Sequence, residues 1–174
     1  MRGGAGHDTI FGGDADDLFY GDAGNDVINA HGGNDTLVGG QGQDTIRGGN
    51  GDDKLYGNSS KDNLLGGNGD DTIFGGSGDD RINAGWDDDV ISGGAGADYL
   101  YGGNGDDTIT LSGGSQINGD VNMGKGDDTL TVTSGRISGD IRTNGGDGTV
   151  TFAGTARVSG DLRTSLGDDT IAVA

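Results

Sequence analysis

The sequence predicts an all-β chain wound as a flattened right-handed solenoid with two parallel sheets. Three observations predict it: scarce apolar residues among many glycines, acid supplied wholly as aspartate, and a nine-residue repeat. Only 29% of the 174 residues are hydrophobic, 42 are Gly, and Pro and Cys are absent. So few apolar side chains cannot fill a conventional globular core. All 29 acidic residues are Asp, against 10 Lys and Arg, for a formal charge of -19. Glutamate suits helix interiors, whereas Asp suits turns and holds hard cations at short reach, so this choice argues for acidic turns.

The same composition excludes several function classes. Nucleic acid and anionic membrane surfaces are repelled by such a charge, so neither is an expected partner. No apolar run is long enough to insert in a membrane, and MRGGAGHD lacks the apolar stretch of a signal peptide. Without cysteine there is neither a disulfide framework nor a thiolate metal site. The expected partner is a cation; in its absence, low hydrophobicity with high charge predicts disorder. The repeat is in register from Gly3, so the chain reads as a piece of something longer.

From Gly3 to Thr110 the chain divides without a gap into twelve nonapeptides, among them GGNGDDTIF (66 to 74) and GGSGDDRIN (75 to 83). The sixth place is always Asp and the eighth always Ile, Leu or Phe. One apolar residue between two outward ones predicts a three-residue strand with a single inward side chain. The other six residues, rich in glycine, predict the turn. Two strands and two turns close one coil of 18 residues. The inward columns are then Ile10, Ile28, Ile46, Leu64, Ile82 and Leu100 on one sheet, and Phe19, Leu37, Leu55, Ile73, Ile91 and Ile109 on the other. Six such coils make a first domain, residues 3–110.

After Thr110 the period lengthens. Gly-Asp pairs at Asp120, Asp140 and Asp161 recur every 20 or 21 residues, each between two apolar residues: Ile117 and Val121, Ile137 and Ile141, Val158 and Leu162. Longer alternating strands follow at Leu130 and Val132, Val150 and Phe152, and Ile171 and Val173. Residues 111–174 are therefore expected to form about three wider coils that extend or cap the solenoid. Their expected design continues one side with acidic turns and replaces the other with a corner filled by side chains; a separate flexible tail is the alternative.

Two aliphatic side chains are little apolar area to set against eighteen ordered residues, many of them Gly. Stacking also places each sixth-place Asp over the next. A divalent cation between them reverses the sign of that repulsion. Carboxylates with peptide carbonyls are hard donors that suit Ca2+, which accepts six to eight oxygens in tolerant geometry, better than Mg2+.

The tandem G-G-x-G-x-D-x-U-x units over residues 3–110 resemble the RTX, or hemolysin-type calcium-binding, repeats of bacterial proteins exported by type I secretion. The resemblance implies a parallel β-roll with ions between successive turns on the same edge. It implies carbonyls from places two and four with the Asp of one turn, joined by carbonyls from places one and three with the Asp one coil later. Carried over, one site is Gly49, Gly51 and Asp53 with Gly66, Asn68 and Asp71, and its counterpart is Gly76, Gly78 and Asp80 with Gly93, Ala95 and Asp98. The same pattern implies metal-ligand roles for Asp8, Asp17, Asp26, Asp35, Asp44, Asp62, Asp89, Asp107 and Asp128. The implied carbonyl donors include Gly4, Gly6, Gly13, Gly21, Ala23, Gly24, Gly39, Gly40, Gln41 and Gly42, then Gly48, Asn50, Gly67, Gly69, Gly75, Ser77, Gly102 and Asn104. Five gaps on each edge give up to about ten ions. GNSSKD (57 to 62), with Lys61 beside Asp62, predicts the weakest sites, and Gly148 should break the acidic ladder after Asp128.

The resemblance further implies a secreted or cell-surface location in bacteria. It makes the type I secretion machinery a partner through the parent protein. The expected function is structural: a calcium-binding module that folds on Ca2+ after export. A spacer or binding segment in a surface adhesin or surface-layer protein is the alternative. Ice binding is less favoured, since the third-place row Ala5, Ala23, Gln41, Ser59, Ser77, Ala95 is irregular. No enzymatic role is expected, because His7 and His31 lie in separate turns and no nucleophile motif accompanies them. The fifth-place Asp16, Asp52, Asp70, Asp79, Asp88 and Asp106 are expected to be solvated charges. Tyr20, Val38, Tyr56 and Phe74 form an outward row, read either as cross-strand stacking or as a docking strip through Tyr20, Tyr56 and Phe74 for a neighbouring domain.

Overall fold

A computed structural model describes the chain except for Gly113, Gly114, Asn118, Ser165 and Ala174. Among the described residues it is a helix-free β-solenoid of about nine turns, paired in parallel throughout. A first sheet of ten strands runs from Arg2–Ala5 through Leu18–Ala23 to Thr170–Val173, and a second of nine from Thr9–Phe11 to Leu162–Arg163. Chain order alternates between them, as an 18-residue coil requires. Register follows the period: Ile28 pairs Ile46, which pairs Leu64, while on the other sheet Leu55 pairs Ile73 and Ile73 pairs Ile91. The inward residues of both nonapeptide columns are at most 4% exposed and form one thin core.

Strand length differs from the expectation. The regular strands are six residues long, as in Thr36–Gln41 and Asn63–Asn68, not three. Pairing runs on through the first three places of the next nonapeptide, so that Gly49 pairs Gly67 and Asn50 pairs Asn68. The kink falls at place two, where Gly49 has φ +128°, and recurs at place four, where Gly51 has φ +116°. Only glycine adopts these angles without strain. Close stacking adds a second reason: a methyl built on Gly69 would lie 2.5 Å from the Gly51 carbonyl oxygen. Most turns lacking one of these glycines keep the same backbone, with Asp22, His31 and Asn58 at place two and Ser60 and Asp87 at place four all at φ between 74° and 82°; the turn from Gly12, with Ala15 at place four, does not.

The wider coils also differ from the expected design. Both main sheets continue: Leu100 pairs Val121 and Val121 pairs Ile141, while Ile109 pairs Leu130 and Leu130 pairs Val150. What widens the coil is a third sheet, formed by Ser115–Ile117, Gly135–Ile137 and Arg157–Val158. Ile117 and Ile137 are buried there and face the same core as Val121 and Ile141. The corner therefore has a hydrogen-bonded backbone of its own as well as side-chain filling. Burial declines in the last coil, where Ile171 is 51% and Val173 83% exposed.

Candidate metal centres

The sixth-place aspartates lie where each turn enters its strand, and stacking draws them inward. Asp26, Asp35, Asp44, Asp53, Asp62, Asp71, Asp80, Asp89, Asp98, Asp107 and Asp128 are at most 2% exposed. Each edge carries a ladder in which the backbone N–H of one Asp donates to Oδ1 of the Asp one coil later. One edge runs from Asp8 through Asp26, Asp44, Asp62 and Asp80 to Asp98 at 2.8–2.9 Å. The other runs from Asp17 through Asp35, Asp53, Asp71, Asp89 and Asp107 to Asp128 at 2.7–3.0 Å. Gly148 interrupts the second ladder by offering no carboxylate to the Asp128 N–H, while its own N–H donates to Asp169 Oδ1 in the ladder's usual sense.

The ladder uses one carboxylate oxygen and orphans the other. Oδ2 of Asp8 and of all eleven buried aspartates is enclosed without a hydrogen-bond partner. Asp17, in the first coil, is the variation: it is half-buried and its Oδ2 accepts the Gly13 N–H at 3.4 Å. Buried anionic oxygens without partners are costly, and they demand a cation or a proton.

At several turns the orphan oxygen and a carbonyl from the next coil both crowd the space above the first-place glycine. A methyl built on Gly57 would lie 2.5 Å from Asp62 Oδ2 and 2.6 Å from the Gly75 carbonyl oxygen. The same cradle joins Asp53 to Gly66 beneath Gly48, and Asp80 to Gly93 beneath Gly75. The third-place carbonyls are partly committed, since Asn68 accepts the Gly51 N–H at 2.8 Å and Ala95 accepts that of Gly78. Gly4 and Gly6 have open space around them, as the first coil has no coil before it. Among the described residues no three His, Cys or acidic side chains converge. Any ion held here must therefore take backbone oxygens as well as carboxylates, a donor set that fits a hard divalent cation.

Electrostatics agree with that fit. Burial pushes the Asp44, Asp53, Asp80 and Asp107 carboxyls up to about 6, Asp62, Asp71 and Asp128 to about 7, and Asp89 to about 8. The N–H each accepts works the other way, and neighbouring aspartates reinforce the rise.

A family profile for the RTX calcium-binding nonapeptide repeat matches four times, at residues 1–28, 29–64, 56–91 and 83–115. The chain belongs to the RTX calcium-binding repeat family. A search of curated proteins finds no match. RTX repeats account for the nonapeptide coils, and the orphaned Oδ2 column gives their calcium-binding character a physical basis in this chain.

Two features escaped the sequence reading. The exposed fifth-place residues are not simply solvated; they form an outer ladder of opposite sense, each side chain accepting an N–H from the coil that follows. From Asp16 it passes through Asn34, Asp52, Asp70, Asp88, Asp106, Asp127 and Asp147 to the N–H of Asp168, at 2.7–3.1 Å. The signal was present as Asp or Asn at every fifth place of that edge. The second feature is at the Gly-Asp corner, where Arg142 bridges Asp120 and Asp140 at 3.0 and 2.8 Å and Arg163 reaches Asp161 at 3.0 Å. The strings GDIR and GDLR carried that signal. On the outward row, Tyr56 and Phe74 stack with centroids 5.2 Å apart, and the Arg2 guanidinium lies over Tyr20.

Proposed function

We propose that this RTX chain is a calcium-driven folding module, structural and without catalytic chemistry of its own. It would serve a larger bacterial protein exported by type I secretion and acting outside the cell or at its surface. The observation that carries the reading is the column of twelve enclosed Oδ2 atoms without partners. Asp53, Gly49 and Gly51 with Asp71, Gly66 and Asn68 would hold one ion. Asp80, Gly76 and Gly78 with Asp98, Gly93 and Ala95 would hold its counterpart. Extended over both edges of residues 3–110, the pattern supplies up to about ten ions, and Asp107 with Asp128 supplies one more gap.

The mechanism follows from where the donors come from. Oxygens on successive coils are brought together only by stacking, so the binding free energy is folding free energy. Without the ion, the orphaned carboxylates repel and the thin core does not hold the chain, which suits passage through a secretion channel. Residues 111–174, with arginines in the corner, extend or cap the roll. Circular dichroism in EGTA and then in millimolar calcium tests the proposal. The expected result is a disordered spectrum that converts to β; a β spectrum indifferent to chelation would sink it.

A further inference from the structure

The outer face of the second sheet carries a cleft of about 390 Å³ where the nonapeptide coils meet the wider ones. This volume lies in the range of small-molecule sites. Two outward columns build it. In one, Arg81 pairs Tyr99; in the other, Asn83 pairs Tyr101, Tyr101 pairs Asn122, and Asn122 pairs Arg142. Tyr99 and Tyr101 are 52% and 40% exposed. On the first sheet Tyr56 stacks on Phe74, and Tyr20 lies under the Arg2 guanidinium. Tyr99 and Tyr101 have arginine and asparagine as strand neighbours instead; the Arg81 guanidinium lies over part of the Tyr99 ring, and both rings keep exposed surface. Gly119 packs closely beside Tyr99: a methyl there would lie 2.2 Å from the Asp98 carbonyl oxygen and 2.9 Å from the Tyr99 Cγ.

Charge narrows the occupant. In a chain of formal charge -19, this cleft holds two guanidiniums. Arg81 sits 5.7 Å from the Tyr99 ring centroid, and Arg142 is oriented by Asp120 and Asp140. The one carboxylate lining the cleft, Asp120, is paired to Arg142 at 3.0 Å. Tyrosine rings suit the C–H faces of pyranose sugars, asparagine amides suit hydroxyl pairs, and guanidinium suits a carboxylate in bidentate fashion.

We propose that this cleft binds a carboxylate-bearing oligosaccharide, with Tyr99 and Tyr101 as stacking platforms, Asn83 and Asn122 on hydroxyls, and Arg81, which has no carboxylate partner among the described residues, on a uronate carboxylate. The acidic turns repel such a polyanion, so recognition is confined to this face.

Calorimetry in calcium buffer with a short oligogalacturonate tests it, with a neutral cello-oligosaccharide and an oligoglutamate peptide as comparisons. Circular dichroism of the same samples reports the roll, so failure to fold on calcium and failure to bind are separate readings. The expected result is binding of the oligogalacturonate alone, weakened about tenfold by Tyr101→Ala and unchanged by Tyr56→Ala on the opposite sheet. Arg81→Gln, at an exposed position, weakens it and reduces its salt dependence. Three results overturn the proposal: no binding by a folded roll, equal binding of the neutral sugar or the peptide, or undiminished binding by a folded Tyr99→Ala/Tyr101→Ala variant. The last outcome is what calcium bridging to the acidic edges gives.

Discussion

Asp71 and Asp70 are adjacent and chemically identical, yet the roll gives them opposite tasks. Asp71 is buried with Oδ2 orphaned, whereas Asp70 is exposed and accepts the Asp88 N–H at 3.1 Å. Asp71→Asn keeps the acceptor for the Asp53 N–H but removes a charge. It is expected to destabilise the calcium-loaded roll by about 1–3 kcal/mol and to stabilise the chelated one, measured as melting temperatures in calcium and EGTA. Asp70→Asn is expected to stay within about 0.5 kcal/mol in both buffers. Equal effects of the two substitutions contradict the assignment. The raised carboxyls make a further prediction. Their folded values, about 6 to 8, exceed the ordinary 3.8, so without metal the folded chain binds more protons across that window. Their stabilising contribution is then complete below about pH 4 and disappears as pH rises through 6 to 8. In EGTA, β signal should be stronger at pH 4.5 than at pH 7.5, and calcium should bind more weakly as pH falls below 7 and protons compete; a chelated chain indifferent to pH speaks against the buried carboxylates.

At the scale of the turn, backbone angle and local charge decide which coils are weak. The turn at 57–62 has Asn58 at φ 74°, Ser60 at φ 82° and Lys61 beside the buried Asp62. Positive φ without glycine costs of order 1 kcal/mol per residue. Ser60→Gly is therefore expected to raise the melting temperature, and Gly49→Ala, at φ +128°, to lower it by the equivalent of about 1–3 kcal/mol. Thermal scans of the two variants in calcium give the comparison, and matching shifts of the same sign refute it. The corner of the wide coils uses another device. Arg142, paired with both Asp120 and Asp140, supplies as a tethered side chain the positive charge that the proposed turn sites would take from a free ion, and the Asp140 N–H together with Arg142 holds the Asp120 carboxyl below its ordinary value. Arg142→Gln should cost about 1 kcal/mol at low salt, less at high salt, by an amount independent of calcium. How far each element was legible follows from the same physics. The register of Ile73 on Leu55 follows from period alone, whereas the run of each strand through Gly67 needs a backbone angle that composition permits without specifying. Ile117 and Val121 announced a corner, but its pairing as a third sheet depends on chain geometry.

Across the whole molecule the two edges are unequal. The fifth places of one are Asp16, Asn34, Asp52, Asp70, Asp88 and Asp106, and those of the other His7, Asn25, Gln43, Lys61, Asp79 and Ala97. In the proposed sites each interior sixth-place Asp would serve the gaps above and below it, so that filling one gap orders the next. Calcium titration followed by circular dichroism should therefore be a steep, cooperative transition, with a Hill coefficient well above one. Trp86 offers an independent probe: it is 61% exposed in the turn that carries Asp89, and its emission should change over the same calcium range. A gradual, hyperbolic response of both signals is incompatible with shared ligands.

The sequence alone determined the 18-residue coil, the inward columns and the identity of the acidic places, because each is a matter of period and residue type. The tertiary structure decided which oxygen of each aspartate is used and which is left over. Oδ1 of Asp71 meets an N–H, and its Oδ2 is enclosed near the Ala84 carbonyl, only because coils eighteen residues away lie directly against it. Tertiary structure likewise set the opposite senses of the inner and outer ladders and the meeting of Tyr99, Tyr101 and two arginines on one face. These are relations between neighbours in the stack, and no local stretch of sequence contains both partners.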